Sequence, residues 1–128
     1  NLKMCSSCIS VFEHLKNPFL FEKEVKRMLE KNGLLIVSVP FIFHLHADPS
    51  DYWRPTKFGL EYLFREFDDL RITNQGNRLH SIMDLISTSF GNTILLKPIR
   101  FINHIFKFFS FSNDSTATTG YLLTARKR

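Results

Sequence analysis

The stretch from Ser10 to Pro40 constrains this chain more than any other, because it carries a helix start, a helix stop and a buried strand in one run. Asn17-Pro18 is a start signal. An Asn side chain can accept a hydrogen bond from the first turn, and proline suits the first helical position. The helix is expected from Pro18 to about Glu30. Phe21, Val25, Met28 and Leu29 then share one face, while Glu22, Lys23, Lys26, Arg27 and Glu30 face water. Glu22 and Lys26 stand four residues apart and form a supporting pair. Gly33 suits the left-handed residue just past the helix end. Leu34 to Val39 is a nearly continuous apolar run with β-branched residues, as in a strand covered on both faces, and Pro40 ends it. Before the helix, Met4 to Val11 reads as a strand entering a loop at Phe12-Glu13-His14.

The rest of the chain repeats this alternation. Residues 41–55 form a long loop rich in aromatic and His residues, and loops of that length are often functional. Thr56 can cap a second helix, from Lys57 to about Phe67, with Phe58, Leu60, Leu63, Phe64 and Phe67 as its apolar side. Leu70 to Asn74 is a short strand, Gly76-Asn77 a turn, and Leu79 to Ser89 a helix. Residues 97–111 read as a basic amphipathic helix. Phe101, Ile102, Ile105, Phe106, Phe108 and Phe109 form one side, with Arg100, Asn103, His104 and Lys107 opposite. A polar linker then leads to a last strand, Gly120 to Ala125. Strands alternating with helices imply an α/β sheet. The final strand, arriving after a long excursion, is expected to insert antiparallel at or near the sheet edge.

The 128 residues suffice for a single domain with one core, and fourteen Phe make that core, or a surface, aromatic. The chain opens on Asn1 rather than Met, which is expected of a processed product or of a piece of a longer protein. The net charge of +5 lies in the last quarter, where Lys97, Arg100, Lys107, Arg126, Lys127 and Arg128 face only Asp114. Charge alone, without a binding motif, does not argue for nucleic acid. Cys5 and Cys8 are the only cysteines, so no disulfide framework is expected and a reducing cytoplasm is the default compartment. On a strand, positions three apart point to opposite faces, which disfavours a zinc site built on this pair, and no metal is expected.

Several of these segments resemble the class I S-adenosylmethionine-dependent methyltransferases of the small-molecule type, over the C-terminal half of that fold only. They are Ser10-Val-Phe-Glu-His at the end of a strand, Glu24-Val-Lys-Arg-Met-Leu29 in the helix, and Asn32-Gly-Leu-Leu-Ile-Val-Ser-Val-Pro40. Asp51-Tyr-Trp-Arg54 and the closing Gly120-Tyr-Leu-Leu-Thr-Ala-Arg-Lys127 complete the set. Pro40-Phe41, His46, the Asp51–Arg54 run and the basic tail helix together resemble a bacterial subgroup of glycan and lipid-linked sugar pathways. The resemblance implies a partial Rossmann-like sheet whose first strand is the family's fourth, so that the whole of 1–128 is a C-terminal portion and 97–111 an insertion within it. Met4 departs from the Asp usual at the entry to that strand. The family's Gly-rich loop has no counterpart here, since the chain holds no G-x-G and only five Gly. S-adenosylmethionine is therefore the implied cofactor of the intact fold, and this chain alone is expected to bind it poorly.

By that likeness, Ile9, Ser10 and His14 would face the cofactor at the carboxyl ends of the strands. Alternatively they simply end a strand and shape its loop. In the loop after Val39, His44, His46, Asp51, Tyr52, Trp53 and Arg54 lie within eleven positions. His46 with Asp51 suits a general base for an acceptor oxygen. Arg54 suits an anionic acceptor, and Tyr52 and Trp53 offer flat faces to a sugar or a sulfonium. The competing reading, which the residue types favour, has Tyr52 and Trp53 packing the loop while Arg54 pairs with a nearby acid. Three functions follow. The first is a methyltransferase part acting on a small-molecule or glycan or lipid-linked acceptor. The second is a non-catalytic interaction module. The third is a membrane-peripheral binder through 97–111. A half-sheet would also expose an edge that invites self-association.

Overall fold

The computed structural model describes residues 5–45, 50–89 and 117–128, with single helical positions at Pro98, Phe101 and Ile105. Strand β1 (Cys5–Ile9) leads through a 3-10 turn at Phe12–His14 into helix α1 (Pro18–Met28). Strand β2 (Leu34–Pro40), helix α2 (Lys57–Leu63), strand β3 (Asp68–Gln75), helix α3 (Arg78–Ser89) and strand β4 (Gly120–Arg126) follow. The sheet order is β1-β2-β4-β3. β1 and β2 are parallel, and β4 runs antiparallel to both β2 and β3. β1, β2 and β3 therefore share one direction, and their carboxyl ends gather on the side where β4 begins. This α/β sheet is the one expected, with the last strand placed one position in from the edge.

The caps act as the sequence indicates. Asn17 Oδ1 accepts from the Leu20 N–H at 3.0 Å, with Pro18 at the first position of α1. Thr56 Oγ1 accepts from the Gly59 N–H at 3.1 Å and opens α2. The stop of α1 differs. The left-handed residue is Asn32 (φ 62°), not Gly33, and the Gly33 N–H donates to the Glu30 carbonyl at 2.8 Å. The chain turns over Lys31-Asn32, and Asn tolerates positive φ at the third position of such a turn. Lys26 also departs from expectation. It reaches across to Glu66 rather than back to Glu22, tying α1 to the segment after α2.

One face of the sheet is dry. Leu35, Val37, Val39, Leu123, Ala125 and Tyr121 are buried in one cluster with Val25 of α1, Leu29 just past its end, and Leu60 and Leu63 of α2. Each buried Val or Leu among them contributes about 1.5–3 kcal/mol through burial. β2 alternates, with Leu34, Ile36 and Pro40 only half-buried, so its two faces are not equally covered. Phe12 is the keystone on the α1 side. Its ring meets Phe21 edge-on at 5.8 Å and Phe64 at 6.3 Å, and Phe64 meets Phe67 at 5.8 Å. Aromatic pairs of this geometry add about 0.5–1.5 kcal/mol each beyond burial. Two expected core residues are outside it: Met28 is exposed and Phe58 is 78% exposed. α2 ends at Leu63 rather than near Phe67: Phe64 leaves the helical backbone (φ −99°, ψ 19°), and the Phe67 N–H donates to the Phe64 carbonyl at 3.0 Å in a tighter turn, while the Phe64 ring joins the Phe12 cluster.

Tight approaches fix the strand ends near the carboxyl edge. A β-carbon at Gly120 would lie 2.6 Å from the Val39 carbonyl oxygen, so only glycine lets β4 start this close to β2. Thr118 Oγ1 lies 2.7 and 2.8 Å from the carbonyls of Gln75 and Gly120, its one proton shared between them, which locks β4 to the end of β3. Gly76 follows with φ 74°, and Asn77 Oδ1 caps α3 by accepting from the His80 N–H. Of residues 97–111, Pro98, Phe101 and Ile105 are helical, with Phe101 and Ile105 exposed; the remainder of that expected helix lies outside the described residues. No described helix is long and apolar enough to cross a membrane.

Candidate functional site

The site is built where β1 and β2 end. Ile9 closes β1 opposite Ser38 and leaves its side chain 62% exposed. Ser10 follows at φ 51°, its N–H donating to the Ser38 carbonyl at 3.2 Å. Holding a serine in the left-handed region turns the chain sharply off the sheet and into the Phe12–His14 turn. Ile9 and Ser10 are thereby presented outward at a strand's carboxyl end.

That turn receives the loop from β2. The Glu13 carbonyl accepts from the N–H groups of Tyr52 at 2.7 Å and Trp53 at 3.3 Å. His14 Nδ1 lies 3.1 Å from the Ser50 carbonyl. A carbonyl only accepts, so this nitrogen carries the proton. His14 thus helps to hold the loop, and its other ring nitrogen faces the buried Glu13 carboxylate at 3.8 Å. Two loops that are far apart in sequence become one wall.

Within that wall, Arg54 and Asp51 form a two-armed ion pair. Nη1 donates to Oδ1 of Asp51 at 2.6 Å, Nη2 donates to Oδ2, and Nη1 also donates to the Trp53 carbonyl at 3.2 Å. The Asp51 side chain is 1% exposed and that of Arg54 22%. Both carboxylate oxygens of Asp51 are engaged by the guanidinium, so the pairing of Arg54 with a nearby acid is the one realised. His46, the other member of the expected base pair, lies outside the described residues. His44 is exposed and packs its ring against Phe43 at 4.3 Å.

Trp53 and Arg54 also line a cavity of about 340 Å³ between the Phe12 turn and α2. Pro18 and Phe19 at the start of α1 form one side, and Pro55 with Gly59, Tyr62 and Leu63 of α2 the other. This is the volume of a small-ligand site. Tyr52 is exposed but lies outside this lining. Sequence reading missed Phe19, Gly59 and Tyr62. The signals were an aromatic on the polar side of α1 and a glycine mid-helix, where it otherwise costs helix stability.

Other chemistry is sparse. Cys8 is buried and reduced, its thiol pushed up from the usual 9.0 by burial and then by the Glu13 charge, which makes it inert. The described residues hold no group of three His, Cys, Asp or Glu that could bind a metal ion.

This arrangement of strands and helices matches solved structures. One is a Haemonchus contortus phosphoethanolamine N-methyltransferase 2 in complex with S-adenosyl-L-methionine, with a TM-score of 0.55 at 13% identity over 96% of this chain. The chain has a class I S-adenosylmethionine-dependent methyltransferase-like fold. A S-adenosylmethionine-dependent methyltransferase from Archaeoglobus fulgidus matches at 18% identity and TM-score 0.48, again over 96% of this chain. No protein-family profile and no curated protein sequence matches the chain. It spans 33% and 58% of the length of those two structures.

In a methyltransferase-like sheet, ligands lie beyond the carboxyl ends of the parallel strands. Ile9 and Ser10 are exposed at that end of β1. The sequence holds no G-x-G, and no Gly-rich loop stands beside them among the described residues, so at most part of such a cofactor is matched.

Proposed function

We propose that the chain is the acceptor-side portion of a S-adenosylmethionine-dependent methyltransferase acting on a small-molecule or glycan or lipid-linked acceptor. One observation carries the reading: the exposed end of β1, at Ile9-Ser10, continues directly into the turn onto which the cavity-lining loop is hydrogen-bonded. An exposed strand end and a lined cavity thus share adjoining backbone, which supports reading the first as the cofactor edge and the second as the acceptor site. Bound there, S-adenosylmethionine would supply an electrophilic methyl group. The chain's own part is to position the acceptor and exclude water, the main source of catalysis in such a transfer. His46 is the group assigned to take the acceptor's proton. Asp51 orients the wall through Arg54, and Trp53 offers the acceptor a flat face.

Calorimetric titration with S-adenosylhomocysteine tests this. Weak, saturable binding that is lost in Ser10→Trp supports it, and no binding to the folded chain even at millimolar ligand overturns the cofactor edge assigned to Ile9-Ser10. That second outcome favours a non-catalytic interaction module, the reading suggested by the absence of G-x-G from the sequence.

We further propose a cytoplasmic chain that touches membrane surfaces through 97–111 and does not bind nucleic acid. Phe101 and Ile105, exposed and one helical turn apart, support the membrane contact. Co-sedimentation with anionic vesicles that is lost in Phe101→Ser with Ile105→Ser checks it.

A further inference from the structure

The cavity beside Trp53 has a wall whose charge is already cancelled. Arg54 is the residue there that would attract an anion, yet its guanidinium is clamped by both oxygens of the buried Asp51 and by the Trp53 carbonyl. A guanidinium held this way brings neither a net charge nor its two-pronged face to a ligand. The rest of the lining is apolar or aromatic: Phe12, Phe19, Trp53, Tyr62, Leu63 and two prolines. The groove is open, with Phe19, Trp53 and Tyr62 exposed, and the cation over an aromatic of this lining, Arg65 at 4.2 Å from the Tyr62 ring, is itself in solvent and outside the lining. An ionised group settling here would give up part of its hydration for an apolar lining whose guanidinium is already engaged, which is costly. An uncharged ring loses little and gains contact with the aromatic lining.

We propose that this cavity binds an uncharged, ring-sized apolar group, and that the Asp51–Arg54 pair excludes anions from it rather than capturing them. This deepens the proposed function by naming the chemistry of the acceptor group that enters. The cavity's occupancy is measurable without cofactor, so the two readings fail separately.

Trp53 is the only tryptophan of the chain and is 38% exposed on the cavity wall, so intrinsic fluorescence reports occupancy directly. Three probes share one ring and differ in charge: benzyl alcohol, benzoate and benzylammonium. Benzyl alcohol should shift the Trp53 emission saturably, and each charged probe should bind at least about tenfold more weakly. Gly59→Leu places a side chain at the cavity, and its β-carbon has room there, meeting Thr56 Oγ1 and Pro55 at no less than 3.6 Å. Leucine is also the better helix former. This variant should keep the helical circular dichroism of the parent and lose the fluorescence response.

Benzoate binding as tightly as the alcohol would overturn the charge argument. An unchanged response in folded Gly59→Leu would overturn the location. Absence of a saturable response to all three probes would overturn the cavity as a ligand site.

Discussion

Two glycines show how much one β-carbon can mean in this chain. At Gly59 a methyl group finds ordinary contacts, the nearest atoms being 3.6 and 3.7 Å away. Gly59→Ala should therefore stabilise the fold by about 0.5–1 kcal/mol, by relieving the entropy cost of a helical glycine. At Gly120 the same methyl would stand 2.6 Å from a backbone oxygen that cannot swing aside. Gly120→Ala should cost about 1–3 kcal/mol, as overpacking does. Urea unfolding of both variants checks the opposite signs. The Asp51–Arg54 pair makes a second prediction at this scale. Removing the guanidinium leaves a deeply buried carboxylate without its counter-charge, while removing the carboxylate leaves a half-buried cation nearer to water. Arg54→Met should thus cost about 3–5 kcal/mol, and Asp51→Asn less. Asp51→Asn should also raise the affinity of the cavity for benzoate. Sequence legibility stops at this scale. Asp51, Trp53 and Arg54 stand out as a cluster in the chain, but the identity of Arg54's acid, and hence the neutral wall, depends on how the loop folds back.

Elements were more legible than residues, because caps are local. Asn17-Pro18 and Thr56 state where helices begin, and both side chains make the expected bonds. Asn17→Ala should cost about 1 kcal/mol, seen as a lower urea midpoint with unchanged slope. Less legible was what each face meets. Met28 and Phe58 have core chemistry at core spacing and yet face outward, since α1 and α2 lean on the sheet through Val25, Leu29, Leu60 and Leu63. Lys26 pairs with Glu66, a partner forty residues away. Glu22, left beside it, is half-buried. Burial raises its carboxyl above the usual 4.5, with Glu66 adding to the rise and Lys26 opposing it. The sign follows. A raised carboxyl favours the fold while protonated and loses that advantage as pH climbs through its folded value. Glu22→Gln should therefore be more stable than the parent at neutral pH, and the difference should vanish as pH falls below 4.5. Chemical denaturation across that range checks it.

At the scale of the whole molecule, the order β1-β2-β4-β3 puts β1 at an edge of the described sheet. That order was only half legible. Alternating strands and helices announce a parallel core, but nothing local in Gly120 to Arg126 tells that strand to slide between β2 and β3 rather than join the outside. Its seat there comes from long-range contacts: Thr118 with Gln75, and a glycine thin enough to pass Val39. The edge has a physical consequence. A strand with one row of backbone groups unpaired is a template for another strand. Ser7 is exposed on β1 and carries no charge to discourage pairing. We propose that the 128-residue chain self-associates along β1, or pairs there with a further segment or partner that completes the sheet. Sedimentation velocity should show a weight-average mass that rises with concentration. Ser7→Lys should suppress that rise while leaving the urea midpoint within about 0.5 kcal/mol of the parent, since charged edge residues block pairing and exposed substitutions cost little. A parent that stays monomeric at every concentration would mean the β1 edge is already blunted, and the argument for a completing strand would lose its main support. If the rise persists in Ser7→Lys, association runs through another surface, and the exposed Phe101 and Ile105 become the next positions to change.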